Sequence, residues 1–167
     1  MEEKKKRVSV ALAAYNGLPY IREQAESILK NLTAEDELVV SDDGSTDGTL
    51  AFLEELAGQD PRVRIISGPK KGIKKNFEHA VKNCRGSYIF LSDQDDLWAE
   101  NKVETVLAAF KEHRCTLVMH DAVVVNEDNT EEIMPSFFAY RGSKSGARAN
   151  IIKNTYMGCC MAFRSEI

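Results

Sequence analysis

With 167 residues and a formal net charge of -4, the chain suits one compact domain and offers no long-range attraction for nucleic acid. No stretch approaches the ~20 apolar residues of a membrane span, and Met1 to Arg7 is charged rather than the start of a secretory signal, so a cytoplasmic protein is expected. Cys84, Cys115, Cys159 and Cys160 lack paired C-x-x-C spacing, which argues for buried reduced thiols over a zinc or disulfide framework.

In chain order, Val8 to Ala14 reads as a first strand and Tyr15-Asn16-Gly17-Leu18-Pro19 as its exit loop, built from turn formers. Tyr20 to Leu32 carries Ile21, Ala25, Ile28, Leu29 and Leu32 on a helical stripe. Leu38-Val39-Val40 is a second strand that ends in Ser41-Asp42-Asp43-Gly44-Ser45-Thr46-Asp47-Gly48, and Leu50, Leu53 and Leu56 continue on a helix capped by Thr46 or Asp47. Asp60-Pro61 breaks that helix, Val63 to Ile66 makes a third strand, and Gly68-Pro69 turns the chain into Lys70-Lys71-Gly72 and a helix holding Phe77, Ala80 and Val81.

Tyr88 to Leu91 has the short aromatic and branched run of a strand covered on both faces, and it passes directly into Ser92-Asp93-Gln94-Asp95-Asp96-Leu97-Trp98. Val103, Val106, Leu107 and Phe110 mark the next helix. Thr116 to Met119 begins a fifth strand that reaches His120-Asp121 and extends to Val123-Val124-Val125. Ile133 to Ala149 reads as irregular, a flap, and Tyr156 to Phe163 as a last apolar strand. Strands alternating with helices predict an α/β domain with a mostly parallel central sheet.

In such sheets ligands sit beyond the carboxyl ends of the strands, which is where the acids fall. If the extended backbone continues past the fourth strand, Asp93 and Asp95 share one side while Asp96 points away and caps the following helix. Two carboxylates facing one point repel, and a hard divalent ion such as Mg²⁺ or Mn²⁺ resolves the repulsion while leaving positions for phosphate oxygens. Asp42-Asp43 ends the second strand in the same way, suited to accept from a base N–H or a ribose hydroxyl. Together the two acidic sites describe a nucleotide cleft. A rival stands beside it: Asp43-x-Ser45-x-Asp47-Gly48-x₅-Glu54 fits the spacing of a helix-loop-helix calcium site, although Glu37 to Val40 is strand-like where that motif needs a helix.

These residues resemble the family 2 glycosyltransferases, whose GT-A fold is a Rossmann-like nucleotide-diphospho-sugar domain. The likeness rests on Val8 to Asn16, on Val40 to Asp47, and on Asp93-Gln94-Asp95-Asp96 as a D-x-D element. Ser92 to Trp98, Asn76-Phe77 and Asn154 to Cys160 look like bacterial rhamnosyltransferase-type members. Ala13-Ala14 departs from the proline-containing stretch of many members. The resemblance implies a metal-dependent inverting transfer from a dTDP- or UDP-sugar to a saccharide or lipid-linked saccharide acceptor in cell-surface polysaccharide synthesis. It assigns Ala14 and Tyr15 to the base pocket, Asp43 or Asp42 to the base, Lys74 to the diphosphate, Asp93 to the ribose or metal shell and Asp95 to the metal. His120 and Asp121 would meet the acceptor, with Asp121 the one candidate for catalytic base.

Two other classes stay open at this point. A sugar-phosphate nucleotidyltransferase would show a glycine-rich basic phosphate loop after the first strand, which Ala13-Ala14-Tyr15-Asn16-Gly17 is not; the other is a non-catalytic calcium-binding module. Family members carry their catalytic base well beyond the Cys159-Cys160 strand, so the 167-residue chain is expected to be a donor-binding fragment of a longer enzyme. Lys4-Lys5-Lys6-Arg7 is suited to peripheral contact with the inner face of a cell membrane, although a charge run that short is by default a solvated terminus.

Overall fold

A computed structural model describes residues 6–127, 130–142 and 157–166. Alternating strands and helices run β1 (Lys6–Ala14), α1 (Leu18–Asn31), β2 (Glu37–Asp42), α2 (Thr49–Gln59), β3 (Val63–Ser67), α3 (Ile73–Lys82), β4 (Gly86–Ser92) and α4 (Lys102–His113). There follow β5 (Leu117–Met119), β6 (Val124–Val125), β7 (Glu132–Met134), the short α5 (Phe137–Arg141), a 3₁₀ turn at Gly158–Cys160 and β8 (Met161–Arg164). The main sheet has the order β3-β2-β1-β4-β8-β5. β1 pairs in parallel with β2 and β4, β2 with β3, and only β8 runs antiparallel to its neighbours β4 and β5.

The period-two alternation of β1 divides the core. Val8, Val10, Leu12 and Ala14 point to one face, where they pack with Ile21, Ala25 and Ile28 of α1, Phe52 and Leu53 of α2, and Val103, Val106 and Phe110 of α4. Ala11 points to the other face and packs with Ala80 of α3 and Ile89. Val8, Val10 and Leu12 are fully buried, each stabilising the fold by about 1.5–3 kcal/mol relative to exposure. α1, α2 and α4 therefore cover one face of the sheet and α3 the other, the layering expected of crossover connections between parallel strands.

The structure revises the last third of the sequence reading. Val124–Val125 does not extend β5 but pairs with Glu132–Met134 as a separate two-stranded sheet. The stretch expected to be irregular thus holds a strand and a helix as far as Arg141, and 143–149 lie outside the described residues. The final strand starts at Met161, because Gly158–Cys160 closes a tight turn first; Asn154, Thr155 and Tyr156 also lie outside the described residues.

Candidate active site

Because β1, β2, β4 and β5 run the same way, the loops that leave them meet at one edge, and antiparallel β8 brings its own preceding turn, with Cys159 and Cys160, to that edge as well. His120 N–H donates to the Cys160 carbonyl (3.0 Å), which fixes the turn against the end of β5.

The loops are held by one another's side chains. Asp42 is buried and folds its own loop: the Gly44 and Ser45 N–H groups donate to its Oδ1 (3.1 and 3.0 Å), and the Ser45 hydroxyl donates to Oδ2. This leaves Asp43 to face the cleft. Its Oδ1 accepts from the Lys70 N–H (2.6 Å) and its Oδ2 from the Gly72 N–H (3.1 Å), tying the segment before α3 to the end of β2. Lys70 sits at φ 56, a left-handed conformation that costs a lysine energy and that these two bonds hold in place. Gly44 has φ 98 and lies beneath the Lys70 stem, so only a glycine suits it.

Asn76 is buried between the strand ends, where its Nδ2 donates to the carbonyls of Ser41 (2.8 Å) and Ala14 (3.2 Å). Gln94, the middle residue of Asp93-Gln94-Asp95, pairs with the backbone of Tyr15. The Tyr15 N–H donates to Oε1 (2.8 Å) and Nε2 donates to the Tyr15 carbonyl (3.1 Å). A Cβ on Gly17 would come within 2.4 Å of that amide, so a larger residue there would push the Gln94 side chain off Tyr15.

Between these loops lies a cavity of about 620 Å³ lined by Ala13, Tyr15, Asp43, Gly44, Lys70, Gly72, Ile73, Asn76 and Gln94. That volume is in the range of small-molecule sites. Three residues lie elsewhere than their expected roles would put them. Ala14 faces the core, and Ala13, one step along the alternation, is the alanine that lines the cavity. Lys74 projects from α3 into solvent and does not line it, whereas Lys70 does. Asp42 serves its loop and is not among the lining residues. Tyr15 and Asp43 both line the cavity, with Tyr15 exposing a ring at the rim.

The second acidic site forms differently from its sequence reading. β4 ends at Ser92, and the chain then turns, so the period of two does not carry on to Asp95. Asp93 and Asp96 come together with Cys159, their ligand atoms all within 4.8 Å of one another, while Asp95 is exposed and outside that group. Asp96 does not cap α4, whose N-cap is Asn101. Burial, with Asp96 and Asp95 adding, pushes the Asp93 carboxyl above its ordinary range. The contact with Cys160, burial and Asp96 together push the Cys159 thiol up, so it holds its proton at neutral pH. The two carboxylates are thus the ready donors, and unbalanced negative charge in a half-buried place fits a hard divalent ion of the Mg²⁺ or Mn²⁺ kind.

Sequence reasoning missed what supports this acidic loop. Gln24, Ser27 and Asn31 lie along one side of α1, and all three reach across to residues 92–103. The Gln24 Nε2 donates to Ser92 Oγ (2.6 Å) and to the Asp93 carbonyl (3.0 Å). The Trp98 N–H donates to Ser27 Oγ (3.0 Å), and Asn31 donates to the Ala99 carbonyl (3.0 Å) and accepts from the Val103 N–H (3.3 Å). The signal was present as a polar i, i+3, i+7 spacing on a helix that is otherwise read for its apolar stripe.

Asp121 has partners of its own. It accepts from the N–H groups of Ala122 (2.9 Å) and Phe138 (2.8 Å) and from the Ser136 hydroxyl. Although burial opposes it, the bonds from Ser136, Phe138 and Ala122 hold its carboxyl below the usual range. The calcium-loop spacing also dissolves. Asp43 faces Lys70 and Gly72, Ser45 binds Asp42, and Asp47 accepts from Thr49 (3.0 Å) and from the Leu18 N–H (3.0 Å), so the oxygens do not converge. The element before the loop is β2, not a helix. Of the basic run at the start, Lys6 donates to the Ala34 carbonyl and Arg7 pairs with Asp36 and Glu104; Lys4 and Lys5 lie outside the described residues.

A mostly parallel α/β sheet with a nucleotide-sized cavity and an acidic cluster at its carboxyl edge is the architecture of a GT-A glycosyltransferase. The family model for Glycosyl transferase family 2 matches residues 9–167, and the chain belongs to that family. It is 42% identical over 104 residues, 62% of the chain, to a chondroitin synthase of Escherichia coli, of which it covers 15%. It is 35% identical over 102 residues, 58% of the chain, to the dTDP-rhamnosyl transferase RfbG of Shigella flexneri, of which it covers 35%. Among solved structures, Staphylococcus aureus TarS 1-349 in complex with UDP matches with a TM-score of 0.73 at 23% identity, over 95% of this chain and 47% of that one. The mannosyltransferase PcManGT of Pyrobaculum calidifontis, in complex with GDP-Man and Mn²⁺, matches with a TM-score of 0.69 at 20% identity, over 98% and 46%. The chain thus spans less than half the length of each of these proteins.

Proposed function

We propose that the chain binds a UDP- or dTDP-linked sugar, with a divalent cation, as the donor part of an inverting glycosyltransferase that builds a cell-surface polysaccharide. The observation that carries this reading is the pairing of the 620 Å³ cavity, walled by Asp43 and Lys70, with the Asp93–Asp96 cluster one loop away at the same sheet edge. Gln94 lines the cavity and directly follows Asp93 of the cluster.

In this reading the base lies against the Tyr15 ring and the Ala13 wall. Asp43 holds the Lys70–Gly72 segment closed over it, and the Lys70 ammonium meets the diphosphate. Asp93 and Asp96 hold the cation, with exposed Asp95 free to turn toward the phosphates. When bound, the ion supplies positive charge that stabilises the departing diphosphate. The acceptor hydroxyl attacks the anomeric carbon on the side opposite the leaving group, and its proton passes to a base. Asp121, already accepting three hydrogen bonds and held below the usual carboxylate range, is read as a brace for Ser136 and Phe138 at the start of α5 rather than as that base. Rhamnose is the donor sugar favoured by the Ser92 to Trp98 stretch and by the likeness to a dTDP-rhamnosyl transferase. The reading sets the reaction in the cytoplasm, at the inner face of the membrane if the acceptor is lipid-linked. Among the described residues, no helix is long and apolar enough to cross a membrane.

Thermal-shift titration with UDP, dTDP, GDP and ADP, each with Mn²⁺ and with EDTA, tests the proposal. Stabilisation by UDP or dTDP that grows with Mn²⁺ is expected. Equal response to all four nucleotides, or a response indifferent to EDTA, would overturn it.

A further inference from the structure

Lys102, the first residue of α4, is half-buried and does not extend freely into solvent as a helix-surface lysine would. Its Nζ lies 4.1 Å from the centre of the Trp98 ring and donates to the Cys159 carbonyl (3.2 Å). Trp98 closes the loop that carries Asp93 and Asp96, is itself 6% exposed, and packs on Phe90 of β4 with ring centres 5.8 Å apart. Cys159 sits on the facing turn and is the third member of the acidic cluster. One ammonium therefore touches both walls of the site. Withdrawal of an ammonium from water is costly, and a methionine of similar length would fill the same space without that cost. The burial pushes its pKa down to about 8, with Cys160, Cys159 and Asp96 opposing.

We propose that Lys102 is a positioning residue for the cation site: by bridging the Trp98 ring and the Cys159 carbonyl, it sets the separation between the Asp93–Asp96 loop and the Cys159 turn. The inference rests on the reading of that cluster as a cation site. Its sign separates it from the simplest alternative. A positive charge beside a cation site weakens binding by repulsion, so removing a lysine that acts only as a nearby charge should tighten metal affinity. Removing one that holds the two walls in register should loosen it, as loss of residues that orient metal ligands does.

The test is titration of the whole chain with Mn²⁺, followed by the loss of the free-ion electron paramagnetic resonance signal, for wild type, Lys102→Met, Lys102→Gln and Lys102→Arg. Metal-free UDP binding and circular dichroism are measured alongside. Lys102→Met is expected to weaken Mn²⁺ binding by about ten-fold while metal-free UDP binding stays unchanged. Lys102→Arg, which keeps the charge and can stack on the ring, is expected to restore most of the loss. If Lys102→Met fails to fold, Lys102→Gln, which keeps a donor but loses the cation–ring contact, takes its place with the same expected direction. Mn²⁺ affinity equal to or tighter than wild type in a folded variant overturns the positioning role. Absence of Mn²⁺ binding by wild type is a different failure: it overturns the cation reading itself, and the role of Lys102 with it.

Discussion

Asp43 offers the sharpest probe of the cavity, because its two oxygens do one job each and both partners are backbone. Asp43→Ala removes the acceptors of the Lys70 N–H at 2.6 Å and the Gly72 N–H at 3.1 Å. Both bonds lie at an exposed position, so each is assigned about 1 kcal/mol, the middle of the range for hydrogen bonds in proteins and below that for charged ones in the interior. With nothing to hold it, Lys70 leaves its left-handed conformation and the segment before α3 swings away from Gly44. The global fold survives, because the core on both faces of β1 does not involve this loop. The cost appears when a ligand must reorder the wall: about 2 kcal/mol, which is roughly 30-fold in affinity. Asp43→Asn keeps one acceptor and should fall between, at roughly five-fold. Calorimetry with UDP at saturating Mn²⁺ measures the affinities, and hydrogen exchange at the Lys70 and Gly72 amides measures the loop. Wild-type affinity and unchanged exchange in Asp43→Ala would refute the assignment of Asp43 to the cavity wall.

Gln24→Leu removes donors to Ser92 Oγ and the Asp93 carbonyl and the acceptor of the Ser27 hydroxyl (2.9 Å); we expect a loss of about 2–4 kcal/mol, or roughly 5–15 °C in Tm, and a calorimetric shift near zero would contradict the clamp. Burial pushes the Asp36 carboxyl up, but the bonds from Arg7 and Thr33 outweigh it and hold it below its ordinary value. A depressed carboxyl contributes stability above its unfolded pKa of about 3.9, and that contribution is lost as pH falls through the lower folded value. Asp36→Asn should therefore lower Tm at neutral pH and flatten its fall in acid, and parallel Tm–pH curves for the two proteins would disprove the linkage. The raised Asp93 carboxyl has the opposite sign: its charge destabilises the metal-free protein at pH values above its folded pKa. In EDTA, Asp93→Asn should raise Tm at neutral pH and lose the further rise that Mn²⁺ gives to wild type; a lower Tm in EDTA would reverse the argument.

The order of strands and helices through α4 was legible because each element carries its own period, and β1 to α4 fall within a few residues of where the apolar spacing puts them. The site was legible as a place and less so as a set of side chains. Asp43 and Tyr15 could be placed on the cavity wall because they stand at strand exits. Ala14 was taken for Ala13 because a strand's facing is fixed only once its partners are known. Lys70 was passed over for Lys74 because its position depends on a left-handed residue and on two bonds from a carboxylate distant in sequence. Asp95 was paired with Asp93 on a strand period that stops at Ser92, after which a turn brings Asp96 round instead. Cys159 joins the cluster only because β8 runs backwards, and no local pattern announces the direction of a strand.

That reversed strand also orders events as the chain is made. β3, β2, β1 and β4 can assemble with α1 to α4 once residue 113 is available, but β4 then shows the whole of one backbone edge, since its second neighbour is β8. β5 cannot cover it, because it touches β4 only through β8. Until residues 161–164 are synthesised and inserted between the two, a fully formed half-domain carries an open edge with Tyr88, Ile89 and Phe90 along it. Such an edge is a template for pairing with another chain. Aggregation during expression should therefore track how quickly the β8 segment reaches the sheet more closely than the strength of the core it joins.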